Sequence, residues 1–189
     1  MKEEPVDILD EHMSKTGQTM LKSEAHKQGL WHGGAHIWIY NSKGEVLMQL
    51  RSPKKIVRPN IWDVSVAGHI AAGKTPLETV VEEAKEELGL IVDPKDLVFL
   101  SNESLEDVMP GGWDHRVFLW IYALKSDLNP ANLTLEEAET SEVKWVPIKQ
   151  LEQELNNPEF KNKYSPTPQS YNQAIKHIPE LLSKGRGGL

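Results

Sequence analysis

Cysteine is absent from this 189-residue chain. That excludes disulfides, thiolate zinc sites and thiol nucleophiles together, and is compatible with a reducing compartment. Long hydrophobic runs are missing too. No stretch approaches the apolar length of a membrane span, and residues 1–10 are acidic and lack the apolar core of a secretory signal, so a cytoplasmic protein is expected. Positive charge is scarce: 21 Lys and Arg against 28 Asp and Glu give a net charge of −7. This argues against a general binder of nucleic-acid polymers or membrane surfaces, which would need a basic patch. What remains is 39% hydrophobic, with no internal repeat or long low-complexity run. It suits one globular α/β domain with extensions and a real core.

The most informative stretch is residues 68–90, GHIAAGKTPLETVVEEAKEELGL. Thr75 is a good N-cap, Pro76 fits the first helical position, Glu78 completes a capping box, and Gly89 closes the far end. Leu77, Val80, Val81, Ala84 and Leu88 make a single apolar stripe at helical spacing, with Glu82, Glu83, Glu86 and Glu87 off it. At about 100° per residue, Glu83 and Glu87 follow one border of the stripe, Glu86 lies beside them and Glu82 is farther round. Three carboxylates therefore share a patch in the half of the helix where the dipole favours cations and like charges repel. A hard divalent cation, Mg²⁺ or Mn²⁺, would compensate, since such ions take oxygen ligands from carboxylates and substrate phosphates. The plainer reading is a solvated acidic face.

Two motifs overlap on these residues. Gly68 to Thr75 spells Gly, four residues, Gly-Lys-Thr, the P-loop pattern whose amides and Lys cradle nucleotide phosphates. Pro76 directly after the Thr argues against it, as does the lack of a clear acidic partner ending a later apolar strand, and it leaves the acidic helix face without a role. The stretch also resembles the Nudix box, with Gly68, Glu83, Ala84, Glu86, Glu87, Gly89 and Leu90 in register. Two positions depart with reversed charge: Lys74 stands for a Glu and Glu82 for an Arg. The resemblance implies that Glu83, Glu86 and Glu87 hold the metal, with the Gly68 carbonyl as a further ligand. Lys74 and Glu82 are expected to form an inverted ion pair that keeps the bracing role of the family's Arg. The competing reading is an ordinary surface contact of Glu82 with Lys85, worth about 0.2–0.5 kcal/mol.

In chain order, residues 6–9 suggest an edge strand, 15–17 a turn, and 35–40 and 46–51 two strands joined as a hairpin through 41–44. Arg51, Lys54, Lys55 and Arg58 form a basic cluster suited to phosphate, or else a solvated loop. Residues 62–67 read as a strand entering the box, and 97–102 and 115–124 as strands separated by a loop whose Pro110-Gly111-Gly112 could form part of a mouth. Residues 142–146 read as a last strand, Pro147 opens a helix to about Leu155, and 170–183 suggest a terminal helix containing Pro179 before a Gly-rich tail at 184–189 that should be disordered. This order fits an α/β/α sandwich on a mixed sheet, also the fold implied by the Nudix resemblance. The expected division is an extension at 1–33, a Nudix domain at 34–157, and a helix with a flexible tail at 158–189.

The flanks resemble the isopentenyl-diphosphate isomerase-like branch of the family through His32, Leu50-Arg51-Ser52, Lys55, Pro59, Trp62-Asp63 and Gly68-His69. In that branch, histidines at the His32 and His69 positions join a metal site, and the Arg and Lys matching Arg51 and Lys55 hold the diphosphate. A Cys before the Gly-His does acid–base chemistry there. Ala67 occupies that position here, so isomerisation, which moves a proton onto and off carbon, is not expected. A Glu of the branch is matched by His115. His26, His32, His36, His69 and His115 could retain a metal site, His69 above all, although a lone His without partners is more ordinarily core or surface.

The expected function is metal-dependent hydrolysis of a diphosphate linkage in a nucleoside diphosphate derivative or related organic diphosphate. Mg²⁺ or Mn²⁺ would sit on Gly68, Glu83, Glu86 and Glu87, with Glu86 or Glu87 as base. Arg51, Lys55, His69 and Trp62 would contact a small-molecule substrate, and Trp31, Trp62 or Trp113 could stack a nucleobase if not occupied as core. A monomer or homodimer is expected. The other class is a binding module that kept the fold and lost activity.

Overall fold

A computed structural model describes residues 3–109, 112–160 and 162–184. Of the tail expected to be disordered at 184–189, Lys184 is instead the last residue of a helix, while 185–189 and the Pro110-Gly111 part of the mouth loop lie outside these residues. The chain begins with β1 (Pro5–Leu9), β2 (Lys15–Leu21) and α1 (Lys22–Lys27). It continues through β3 (His32–Tyr40), β4 (Glu45–Arg51), β5 (Trp62–Asp63), β6 (Val66–His69) and α2 (Pro76–Leu88). It ends with β7 (Leu97–Met109), β8 (Trp113–Lys125), β9 (Thr140–Pro147), α3 (Ile148–Leu155) and α4 (Pro168–Lys184).

β3 is the axis of the mixed sheet and is buried along its whole length. It runs parallel to β8 and antiparallel to β6, while β4 pairs with β5 and β9. Strand alternation divides its side chains between two cores. Ala35, Ile37 and Ile39 pack with Val80, Ala84 and Leu88 of α2. Trp38 and Tyr40 pack on the other face with Leu151 of α3 and Tyr171, Ala174 and Ile178 of α4. The result is the α/β/α sandwich on a mixed sheet.

Several local expectations change. Residues 15–17 open the exposed strand β2 instead of a turn, and α1 forms without a side-chain cap. The expected hairpin at 41–44 splays, so that β3 and β4 meet only at Tyr40 and Val46 before β4 leaves to pair with β9. Residues 103–107 belong to β7 and pair with β8 in one long hairpin where a loop was expected.

Candidate active site

The box helix forms as its sequence dictates. Thr75 and Glu78 exchange the two hydrogen bonds of a capping box, and Gly89 ends the helix at φ +64°, a left-handed position suited to glycine. Val80, Ala84 and Leu88 fasten α2 to the sheet, which turns Glu83 and Glu87 toward β6 and leaves Glu82 and Glu86 exposed.

Glu87 is 6% exposed. Its Oε2 accepts from Gln49 Nε2 at 3.2 Å and from the Ala67 N–H at 3.4 Å. Gln49 is held in turn by the Thr140 hydroxyl, which donates to its Oε1. Burial, then the charge of Glu83, pushes Glu87 up to about 8 against these hydrogen bonds. Burial, then the charges of Glu86 and Glu139, raises Glu83 to about 7. Gly68 lies so close to Glu83 that an added Cβ would fall on the carboxylate. The absence of a side chain at Gly68 therefore leaves Glu83 its place against the backbone of β6. Buried like-charged oxygens gathered together suit a hard divalent cation. Lys74 and Glu82 are in contact, as expected for the inverted pair.

The basic cluster is already engaged. Arg51 donates from Nε to the Arg58 carbonyl and from Nη2 to the Val57 carbonyl, both at 3.0 Å, and lies 3.5 Å from Asp63. It therefore braces residues 52–61. Lys55 contacts Glu139, Arg58 contacts Asp107, and Lys54 lies 3.5 Å from Glu137. Trp62 is half-buried and carries the Lys144 ammonium 3.7 Å above its ring. Trp31 stacks on Phe118 at 4.2 Å. The Trp113 side chain lies outside the described residues.

Alternation along β6 sends Val66, Gly68 and Ile70 toward α2 and Ala67 and His69 to the opposite face. There His69 meets His26 of α1, His32 of β3 and His115 of β8, with one potential ligand atom from each within 4.8 Å of all the others. His32 Nδ1 lies 2.9 Å from the Leu30 carbonyl. A carbonyl only accepts, so Nδ1 carries the proton and Nε2 is a bare lone pair. That Nε2 is buried and unpartnered, as are His26 Nδ1 and both ring nitrogens of His115. Burial holds His26 down to about 4 and His115 to about 3, with help from neighbouring imidazoles. Four converging nitrogen donors could hold a metal. His36 stays apart: its Nδ1 pairs with the Ser170 hydroxyl at 2.9 Å, which also accepts from Trp38 at 3.0 Å, so it is a satisfied core residue.

Two residues escaped sequence reasoning. Gln49 orients Glu87, and Glu139 lies close enough to raise both Glu83 and Glu87. The acidic run before β9 was visible in the sequence, but nothing there pointed it at α2. A groove of about 310 Å³ between α3 and α4, lined in part by Leu155, Tyr171 and Ile175, contains none of the candidate residues.

Comparison with known proteins identifies the domain. The family model for the NUDIX domain matches residues 30–167. Nudix hydrolase 3 of Arabidopsis thaliana is 38% identical over 159 residues, covering 79% of this chain and 20% of that protein. This chain thus spans about a fifth of that relative's length. An isopentenyl-diphosphate Delta-isomerase of Serratia proteamaculans is 31% identical over 139 residues, covering 73% of this chain and 74% of the relative. A crystal structure from Deinococcus radiodurans superposes with a TM-score of 0.70 at 22% identity, covering 96% of this chain and 98% of that one.

Proposed function

This chain belongs to the Nudix family, and we propose that it hydrolyses a diphosphate linkage in a nucleoside diphosphate derivative or related organic diphosphate, using Mg²⁺ or Mn²⁺. The observation that carries this reading is the packing of Glu83 against Gly68 and of Glu87 against the Ala67 N–H, Glu83 raised by burial and then by the charge of Glu86, and Glu87 by burial and then by the charge of Glu83. A divalent ion bound there supplies charge neutralisation for phosphate and a more acidic water. The chain's own residues supply orientation. Gln49 and the Ala67 N–H fix Glu87, and the bare Gly68 leaves Glu83 its place. Arg51 and Lys55 are the cations assigned to a leaving diphosphate, by exchange with their present partners. The substrate is a small molecule and the location cytoplasmic. Ala67 contributes only a backbone N–H, so it offers no proton-transfer group for chemistry at carbon.

The deciding measurement is phosphate release from nucleotide sugars, dinucleotides, nucleoside di- and triphosphates and prenyl diphosphates with Mg²⁺ or Mn²⁺, for wild type and Glu87→Gln. Metal-dependent turnover that collapses in the variant is expected. No turnover on any substrate, with Mn²⁺ binding intact, would replace the hydrolase with a binding module.

The unpartnered imidazole nitrogens favour a second and chemically different metal centre. Four nitrogens without a carboxylate suit a borderline ion such as Zn²⁺ over Mg²⁺. Four protein ligands leave no open position, so the role is structural, tying α1 to β3, β6 and β8. Metal analysis of protein exposed to Zn²⁺ should give one tightly held ion per chain, lost in His32→Ala. Equal Zn²⁺ retention by the variant would remove this centre.

A further inference from the structure

Residues 52–61, between β4 and β5, reach across the sheet. Backbone bonds tie their two ends beside β4: the Ser52 N–H donates to the Glu139 carbonyl at 2.8 Å, the Arg51 N–H to the Ile61 carbonyl at 3.0 Å and the Asn60 N–H to the Arg51 carbonyl at 3.1 Å. The tip is held by a side chain, the Arg58 guanidinium on the Asp107 carboxylate of β7, 17% and 28% exposed. Asp107 pairs with His115 of β8, whose ring feels the Arg58 charge, so the tip lies on the imidazole face. β3 and β8 separate β4 from β7, and β6 occupies the edge of β3 that faces β4. The segment therefore spans the half-buried Ala67, Gly68 and His69 of β6, the strand whose Ala67 N–H holds Glu87.

Apolar packing does not fasten this segment. Ile56 is 97% exposed, and among the described residues Ile56, Val57 and Ile61 join none of the hydrophobic clusters. Arg58 and Asn60 stand at φ +52° and +57°, left-handed values that side chains disfavour and that persist only where the surroundings hold them. Arg51 supplies part of that hold through the Val57 and Arg58 carbonyls, and Asp107 the rest. A segment with polar anchors and few apolar contacts opens locally while the sheet stays folded. We propose that residues 52–61 are a strap over the box site and that the Arg58–Asp107 pair is its clasp, opening to admit the substrate and closing behind it. Arg58 and Asp107 are thus positioning residues: they touch each other and act on the substrate through where the strap lies. The inference rests on the hydrolase reading above for what enters.

Hydrogen exchange reads the strap without catalysis. Amides of residues 52–61 should exchange about three- to tenfold faster in Asp107→Asn than in wild type, while those of α2 keep their rates. Exchanging the charges, Arg58→Asp with Asp107→Arg, should restore slow exchange. With the substrate that the panel above identifies, Asp107→Asn should raise KM by more than it lowers kcat, and the charge exchange should bring KM back. A lock gives the second measurement. The chain has no cysteine, so Arg58→Cys with Asp107→Cys provides two unique thiols. Bridging them with a short bis-maleimide should abolish turnover while Mn²⁺ binding persists, whereas capping both with N-ethylmaleimide should leave turnover near that of Asp107→Asn. Unchanged exchange in Asp107→Asn would overturn the clasp, and full turnover by the bridged protein would overturn the gate. If wild type turns over no substrate, the hydrolase reading falls, and exchange still decides whether the clasp holds the strap.

Discussion

Gly68 and His69 are neighbours on one strand, yet they serve two clusters on opposite faces of the sheet. On the α2 face, Glu83 packs against the bare backbone of Gly68 and Glu87 against the Ala67 N–H. On the other face, four imidazoles gather around His69. Both sets crowd groups of one kind, and burial drives each toward its neutral form: Glu83 and Glu87 upward, His26 and His115 downward. They differ in openness. Glu86 is exposed and Glu87 is oriented by donors, as a site that must admit a substrate requires. His26, His32 and His115 are buried with ring nitrogens unspent, as suits a site filled by its own ligands. The comparison teaches that ligand hardness and solvent access separate the proposed catalytic site from the proposed structural one, even one residue apart.

Glu87→Gln should test that separation most severely. Phosphate release should fall by about a hundred- to ten-thousandfold, while Zn²⁺ retention by the imidazoles stays at the wild-type level. Joint loss would mean one coupled centre.

A pH series of melting curves in chelator comes next. Glu83 and Glu87 are raised on folding from 4.5, so their favourable contribution is full below about 4.5 and lost as pH rises through about 7 and 8. His26 and His115 are lowered from 6.5, so theirs is full above about 6.5 and lost as pH falls through about 4 and 3. The metal-free protein should therefore be most stable between about pH 4.5 and 6.5. Mn²⁺ should lift the alkaline limb. A stability maximum above pH 8 would contradict the burial of the carboxylates.

Gly68→Ala sharpens the contrast further. Its Cβ must displace Glu83, so overpacking of about 1–3 kcal/mol is expected in denaturant titrations, together with weaker Mn²⁺ binding and unaltered Zn²⁺ retention.

The carboxylate site was legible because one helix carries it. Capping residues fix where α2 starts, and its apolar stripe fixes which way Glu83 and Glu87 face. β3 and α4 were legible through their apolar patterns for the same reason. The imidazole cluster was only half legible: five histidines were visible, but which four converge depends on α1, a short helix with no capping signal, and on β8. Glu139 acts on Glu87 through its charge and Gln49 through a hydrogen bond, from 52 and 38 residues away along the chain. No motif spans such separations. The basic cluster read as free cations because its partners Glu139 and Asp107 arrive from distant segments. β2 and the outer part of β7 carry mainly polar residues, so backbone pairing defines them where hydrophobic alternation does not.

The smallest expected effect concerns the reversed pair at the edge of the carboxylate site. Lys74 and Glu82 are in contact with side chains 39% and 49% exposed, so solvent limits their coupling to about 0.2–1 kcal/mol. The hydrogen bond to Glu82 raises Lys74, and the charge of Glu86 adds to it. The cation thus lies close enough to Glu86, a proposed metal ligand, to feel its charge. Lys74→Glu places like charges together and should weaken Mn²⁺ binding slightly, and Glu82→Arg alone should do the same by setting two cations together. The double exchange restores the family's polarity and should recover wild-type affinity. A double-mutant cycle with zero coupling would show that the two reversed charges are independent surface changes. Recovery in the double exchange would show that the site needs an ion pair at this position and is indifferent to which partner carries which sign.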